Sequence, residues 1–129
     1  MLRLLLIEDN PADVELVREA LQRFSIPAHL HVAMDGEQAV GLLGAADHKP
    51  DLIILDLNVP KIDGHQLLER HSLTDSPVVV FSSSNNVVDR EWALANGAKD
   101  YVVKPEGFKP FLKAVRDMVE RWGTSAPAD

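Results

Sequence analysis

Apolar residues along this chain gather in two ways, as short unbroken runs and as longer segments with helical spacing. Leu52-Ile53-Ile54-Leu55 is long enough for a strand and too short for an independent helix. It shows no alternation with polar residues, which predicts a strand covered on both faces, central in a parallel sheet. Arg3 to Ile7, His29 to Ala33, Val78 to Phe81 and Asp100 to Val103 read as four further strands. Between them, Val14, Val17, Leu21 and Phe24 recur at helical spacing, as do Ala39, Val40, Leu42 and Leu43 on the inward side of a second helix. A short third helix runs from Gly64 to about His71, and a fourth starts near Asn86 and stops before Gly97. The cleanest periodicity is the last: Phe108, Phe111, Leu112, Val115, Met118, Val119 and Trp122.

Boundary residues agree with these segments. Asn10 can cap the first helix, with Pro11 at its first position, and Asp35 can cap the second. Gly41 and Gly44 weaken that second helix by roughly 1 kcal/mol each relative to Ala. Pro27, Pro60, the Asp63-Gly64 pair, Lys104-Pro105 and Gly123 punctuate the chain elsewhere. Five strand–helix repeats predict an α/β fold, (βα)5, whose right-handed crossovers leave helices on both faces of a parallel sheet. The flavodoxin-like strand order 2-1-3-4-5 is the known solution for such a chain. A single domain over residues 1–122 is expected, with a disordered tail over 123–129 and no output domain.

Composition narrows the class. No apolar run approaches bilayer length, and the start, Met1-Leu2-Arg3-Leu4, lacks the pattern of a signal peptide. With no cysteine, disulfides and thiolate metal sites are excluded, and a cytoplasmic protein is the simplest reading. A net charge of −7 argues against non-specific nucleic-acid binding. It also fits a site that concentrates carboxylates.

Parallel strands would bring their carboxyl-end residues together: Glu8 and Asp9, Asp56, Ser82 and Lys104. Carboxylates at ~4 Å repel by about 4 kcal/mol per pair at an effective dielectric of ~20, so the cluster should raise a pKa or recruit a cation. Oxygen ligands without His or Cys favour Mg²⁺ or Mn²⁺ over zinc. With a carboxylate as nucleophile toward phosphorus, and Lys104 and the Ser82 hydroxyl binding the remaining oxygens, the set suits an aspartyl phosphate. Each residue has a plainer reading: Glu8 and Asp9 as helix caps, Asp56 in a turn, Ser82 within a serine triplet, Lys104 on the surface. Gathered at four strand ends, they favour the chemical reading.

The same residues carry a family likeness. Leu5-Leu6-Ile7-Glu8-Asp9-Asn10, Pro50 to Pro60 with Asp63-Gly64, Pro77 to Ser82, and Ala98 to Pro105 resemble the receiver domain of two-component response regulators. The resemblance implies that Asp56 accepts a phosphoryl group from a histidine kinase or histidine phosphotransfer protein. It implies Mg²⁺ (or Mn²⁺) among Glu8, Asp9, Asp56 and the Asn58 backbone carbonyl. Ser82 would be the switch hydroxyl, Tyr101 its aromatic partner and Lys104 the phosphate-binding lysine, with a cis Lys104–Pro105 bond. Asn58 and Ser84 would flank the path of a hydrolytic water and tune the lifetime of the phosphate. Output would pass through the face of the fourth helix, fifth strand and fifth helix to a downstream protein partner, with no nucleic acid or membrane partner. A departure is Glu106-Gly107-Phe108, where many receivers have phenylalanine straight after the proline. A second is the shortness of the third-helix region before Pro77. The stretch Glu8 to Asp13 and the serines 82–84 look most like small stand-alone receivers, including those paired with phytochrome kinases.

Three other readings compete. A receiver-shaped interaction module would work without phosphorylation. A haloacid-dehalogenase-like phosphatase would need Asp-x-Asp on the first strand, whereas Asp56-Leu57-Asn58 lies on the third. A flavin-binding protein would need a Ser/Thr/Gly-rich loop where Glu8-Asp9-Asn10-Pro11 stands. His65 and His71 read as surface residues, and His29 and His31 as edge-strand residues. Trp92 and Trp122 read as core anchors or interface residues. An exposed apolar patch on the last helix would suggest a homodimer.

Overall fold

The computed structural model describes residues 1–45, 49–61, 63–70 and 76–123. Five strands form one parallel sheet: β1 (Leu2–Ile7), β2 (Ala28–Ala33), β3 (Leu52–Leu55), β4 (Val78–Ser82) and β5 (Asp100–Val103). The order is β2-β1-β3-β4-β5, the doubly wound arrangement expected from five strand–helix repeats. The connections are α1 (Pro11–Arg23), α2 (Gly36–Ala45), α3 (Gly64–Arg70) and α4 (Val87–Ala95), and α5 (Phe108–Trp122) follows β5.

Strand alternation sorts the core into two layers. Leu5, Ile7, Ile53, Leu55, Val78 and Val80 face one side, with Ala39, Leu67, Leu68 and Ala93 from α2, α3 and α4. Their neighbours Leu4, Leu6, Leu52, Ile54, Val79 and Phe81 face α1 and α5, where Val14, Val17, Leu112 and Val115 meet them. Each such Leu, Ile or Phe contributes about 1.5–3 kcal/mol by leaving water, so these two layers hold the sheet's geometry. The edge strand β2 exposes His29 and His31, as their alternating positions predict.

Helix termini follow the expected caps. Asn10 Oδ1 accepts from the Ala12 and Asp13 N–H groups, with Pro11 at the first helical position. Asp35 Oδ1 accepts from Gln38 N–H, and Asn86 Oδ1 from Val88 N–H. Two apolar positions differ from expectation. Leu42 is 39% exposed, because Ala39, Val40 and Leu43 make the buried stripe of α2 and Leu42 lies about 100° from its centre. Phe108, 47% exposed, sits on the first turn of α5, where the Arg23 guanidinium stacks on its ring. Trp92 is partly buried against the α2–α3–α4 layer and meets the His65 ring at 4.8 Å. The partly buried Trp122 donates its indole N–H to Asp100 at 3.2 Å.

The Lys104–Pro105 peptide is trans, where the family resemblance implied cis. The chain turns into α5 at Gly107, whose φ of +97° suits glycine. Gly123 closes α5 by donating its N–H to the Val119 carbonyl. The expected His71 and the tail residues 124–129 lie outside the described residues.

Candidate functional site

Strand register brings the polar groups together. Ile7 pairs with Leu55, Leu55 with Val80, and Ser82 with Val103, so the ends of four neighbouring strands, β1, β3, β4 and β5, lie close together. The ladder then runs one step further. Glu8 N–H donates to Ala33 O at 2.9 Å, Asp56 N–H to Ile7 O at 3.0 Å, and Lys104 N–H to Ser82 O at 2.7 Å. These main-chain bonds fix three functional side chains on the rigid sheet edge rather than on free loop.

The side chains converge on a cleft of about 730 Å³ lined by Glu8, Asp9, Asp13, Asp56, Asn58 and Lys104, among others. Glu8 is 2% and Asp56 7% exposed, while Asp9 and Asn58 face solvent. Lys104 Nζ donates to Glu8 Oε1 at 2.7 Å, Asp13 Oδ2 at 2.8 Å and Asp56 Oδ2 at 3.2 Å. Asp56 Oδ1 accepts from Asn58 N–H at 3.0 Å, so both of its oxygens are engaged. Glu8 Oε2 accepts from Asn10 N–H at 3.2 Å.

Burial sets the electrostatics. Loss of water pushes the Glu8 carboxyl up to about 7, the Lys104 hydrogen bond opposing and the Asp56 charge assisting. Burial alone would lower the Lys104 ammonium, but its hydrogen bonds to Asp13 and Glu8 and the nearby charges hold its pKa above the ordinary lysine value. Carboxylate oxygens of Glu8, Asp9 and Asp56 all lie within 4.8 Å of one another. Three hard oxygen donors at this spacing, partly open to solvent, fit a divalent cation that keeps some of its waters.

Three expected residues, Ser82, Ser84 and Tyr101, stand beside the cleft rather than in its lining, which here takes Ser83 from the serine triplet. Ser82 is buried at the end of β4, its Oγ accepting from Ser84 N–H at 3.2 Å. The Ser84 hydroxyl donates to Asp89 Oδ2, in the first turn of α4, at 2.8 Å. Tyr101 is 3% exposed with its ring in the core, and its hydroxyl donates to Ser84 O at 2.9 Å. Ser82, Ser84 and Tyr101 thus form one linked group between the sheet edge and α4.

Asp13 is the residue that sequence reasoning missed. Three positions into a capped helix, it reads as part of the cap, and only the fold turns that first helical turn toward Lys104.

The family model for the response regulator receiver domain matches residues 4–116. The chain belongs to this family. It is 34% identical over 128 residues to the response regulator Rcp1 of Synechocystis, covering 92% of this chain and 87% of Rcp1. It is 32% identical over 127 residues to the probable methanogenesis regulatory protein FilR2 of Methanothrix harundinacea, covering 92% of this chain and 82% of that protein. Other curated relatives are longer: the transcriptional regulatory protein TrcR of Mycobacterium tuberculosis is 31% identical, and the match covers 93% of this chain but 46% of TrcR. Among solved structures, the Mn²⁺-bound form of Rcp1 superposes with a TM-score of 0.86 at 30% identity, covering 100% of this chain and 99% of Rcp1. The phosphorylated cyanobacterial phytochrome response regulator RcpA gives 0.87 at 33% identity, covering 97% and 96%. This chain is therefore similar to receiver proteins solved in metal-bound and phosphorylated states. Among the described residues, no helix is long and apolar enough to cross a membrane.

Proposed function

We propose that this receiver domain is a phosphorylatable switch whose acceptor is Asp56. One observation carries the reading. Asp56 ends the central strand β3, is nearly buried, and shares the Lys104 ammonium with Glu8 beside a carboxylate cluster fit for a divalent ion. An Asp56 oxygen would attack the phosphorus of a phosphohistidine on a histidine kinase or phosphotransfer protein. The P–N bond breaks, the O–P bond of an acyl phosphate forms, and the imidazole departs with the electron pair. Mg²⁺ or Mn²⁺, held by Glu8, Asp9, Asp56 and the Asn58 backbone carbonyl, would supply charge neutralisation for the transferring group.

The chain's own residues do the rest. Lys104 orients a phosphoryl oxygen, and the Asn58 N–H fixes the second oxygen of Asp56. Ser82 leaves Ser84 N–H to bond the phosphoryl group, which loosens the Ser84–Tyr101 link and biases the α4–β5–α5 face. Val87, Val88, Leu94 and Val103 on α4 and β5 are 61%, 72%, 40% and 39% exposed, an apolar surface suited to a downstream protein partner. Asn58, exposed at the cleft, tunes hydrolysis of the phosphate. The setting proposed is the cytoplasm, and the domain acts as a signalling partner rather than a turnover enzyme. An interaction module that works without phosphorylation is the second reading, favoured by the same apolar face. Incubation with Mg²⁺ and acetyl phosphate, read by intact mass, separates the two. The parent should gain one labile phosphoryl group and Asp56→Asn none; a parent that gains nothing supports the unphosphorylated module.

A further inference from the structure

The metal-binding and acceptor residues leave Asp13 unexplained. At the third position of a helix capped by Asn10, an acidic residue ordinarily reaches back to the N–H of the cap residue. Here that N–H is already taken by Glu8 Oε2 at 3.2 Å. The Asp13 carboxylate is directed instead onto Lys104 Nζ at 2.8 Å, with its side chain 19% exposed. Asp13 thus forms a third contact on an ammonium that has three hydrogens to give.

We infer that Asp13 is a positioning residue for Lys104, anchoring the ammonium at the cleft while Glu8 and Asp56 turn to other partners; the inference rests on the phosphoryl-transfer reading above. Of the three carboxylates on Lys104, Glu8 and Asp56 belong to the cluster that fits a cation, and Asp13 does not. A cation draws the first two away, and phosphorylation turns an Asp56 oxygen into an acyl phosphate. Asp13 then remains as a fixed point. It keeps one ammonium hydrogen engaged and leaves the others for phosphoryl oxygens. Without it, with Glu8 and Asp56 turned to the cation, the long flexible side chain swings toward solvent.

The test uses the full chain with Asp13→Asn, Asp13→Glu, and Glu15→Gln as a control. Glu15 lies on the same helix, pairs with Arg18, and does not touch Lys104. Acylation of each lysine by an amine-reactive acetyl ester is measured by peptide mass, in EDTA and in saturating Mg²⁺. In Mg²⁺, Asp13→Asn should raise Lys104 acylation by about tenfold over the parent, the size expected for loss of one charge-assisted hydrogen bond. Asp13→Glu should restore most of the protection, and Glu15→Gln should match the parent. The rate of phosphorylation by acetyl phosphate at saturating Mg²⁺ should fall in Asp13→Asn with thermal stability little changed. Unchanged Lys104 acylation in Asp13→Asn overturns the inference, as does an equal rise in Glu15→Gln. If the parent takes up no phosphoryl group, the functional reading fails, while the acylation arm still decides whether Asp13 anchors the lysine.

Discussion

Lys104 holds three carboxylates with one ammonium while its side chain is only 11% exposed. Removing that charge leaves like charges facing one another in a cleft poor in water. Lys104→Met should therefore destabilise the metal-free protein by about 3 kcal/mol, the low end for breaking a buried pair. Mg²⁺ should recover more of that loss in the variant than it adds to the parent, because the freed carboxylates bind the cation. Urea unfolding in EDTA and in Mg²⁺ checks both statements, and a variant as stable as the parent in EDTA would contradict them. Glu8 gives a pH signature of its own. Burial raises its carboxyl from 4.5 to about 7 in the folded state, so the fold binds a proton that the unfolded chain releases. The stability it contributes is fully present below 4.5 and is lost as pH rises toward 7. In EDTA, the parent should lose urea resistance relative to Glu8→Gln across that window. A constant difference between the two would show that Glu8 keeps its ordinary acidity.

At the scale of elements, the loop from β3 to α3 depends on one missing methyl group. A Cβ on Gly64 would lie 2.4 Å from Leu57 Cα and 2.7 Å from the Asp56 carbonyl oxygen, both main-chain atoms that cannot step aside. Gly64→Ala should cost about 1–3 kcal/mol, in line with overpacked sites, and should slow phosphorylation by displacing Asp56. Thermal melts and acetyl phosphate kinetics measure the two effects, and a variant with parental values would refute the tight contact. The β4–α4 connection is the second such element. Ser82→Ala removes the acceptor of Ser84 N–H, and so the first link of the path to Tyr101 and α4. Phosphorylation should persist while binding of a phosphorylation-dependent partner weakens; equal binding by phosphorylated variant and parent would sink that coupling.

Across the whole molecule, the strands and most caps were legible because local rules and global packing agree there. Leu52–Leu55, Asp100–Val103 and Phe108–Trp122 have the bounds their patterns predict. Leu42 was misjudged because apolar residues in a short helix admit more than one stripe, and only the packed sheet selects among them. The strand ends supplied Glu8, Asp9, Asp56 and Lys104 directly, since their chemistry is set by where an apolar run stops. Asp13 is hidden by its resemblance to a helix cap, since only the fold brings it to Lys104. The turn at Gly107 belongs to the same class, a local path set just beyond a recognisable motif.

The central claim is that Asp56, and no other carboxylate of the cluster, carries the phosphoryl group. Borohydride reduction after exposure to Mg²⁺ and acetyl phosphate converts an aspartyl phosphate to homoserine, which peptide mass mapping locates. Homoserine at position 56 is the expected result. A reduced side chain at Glu8, Asp9 or Asp13 instead, or no reduced carboxyl at all, would contradict it.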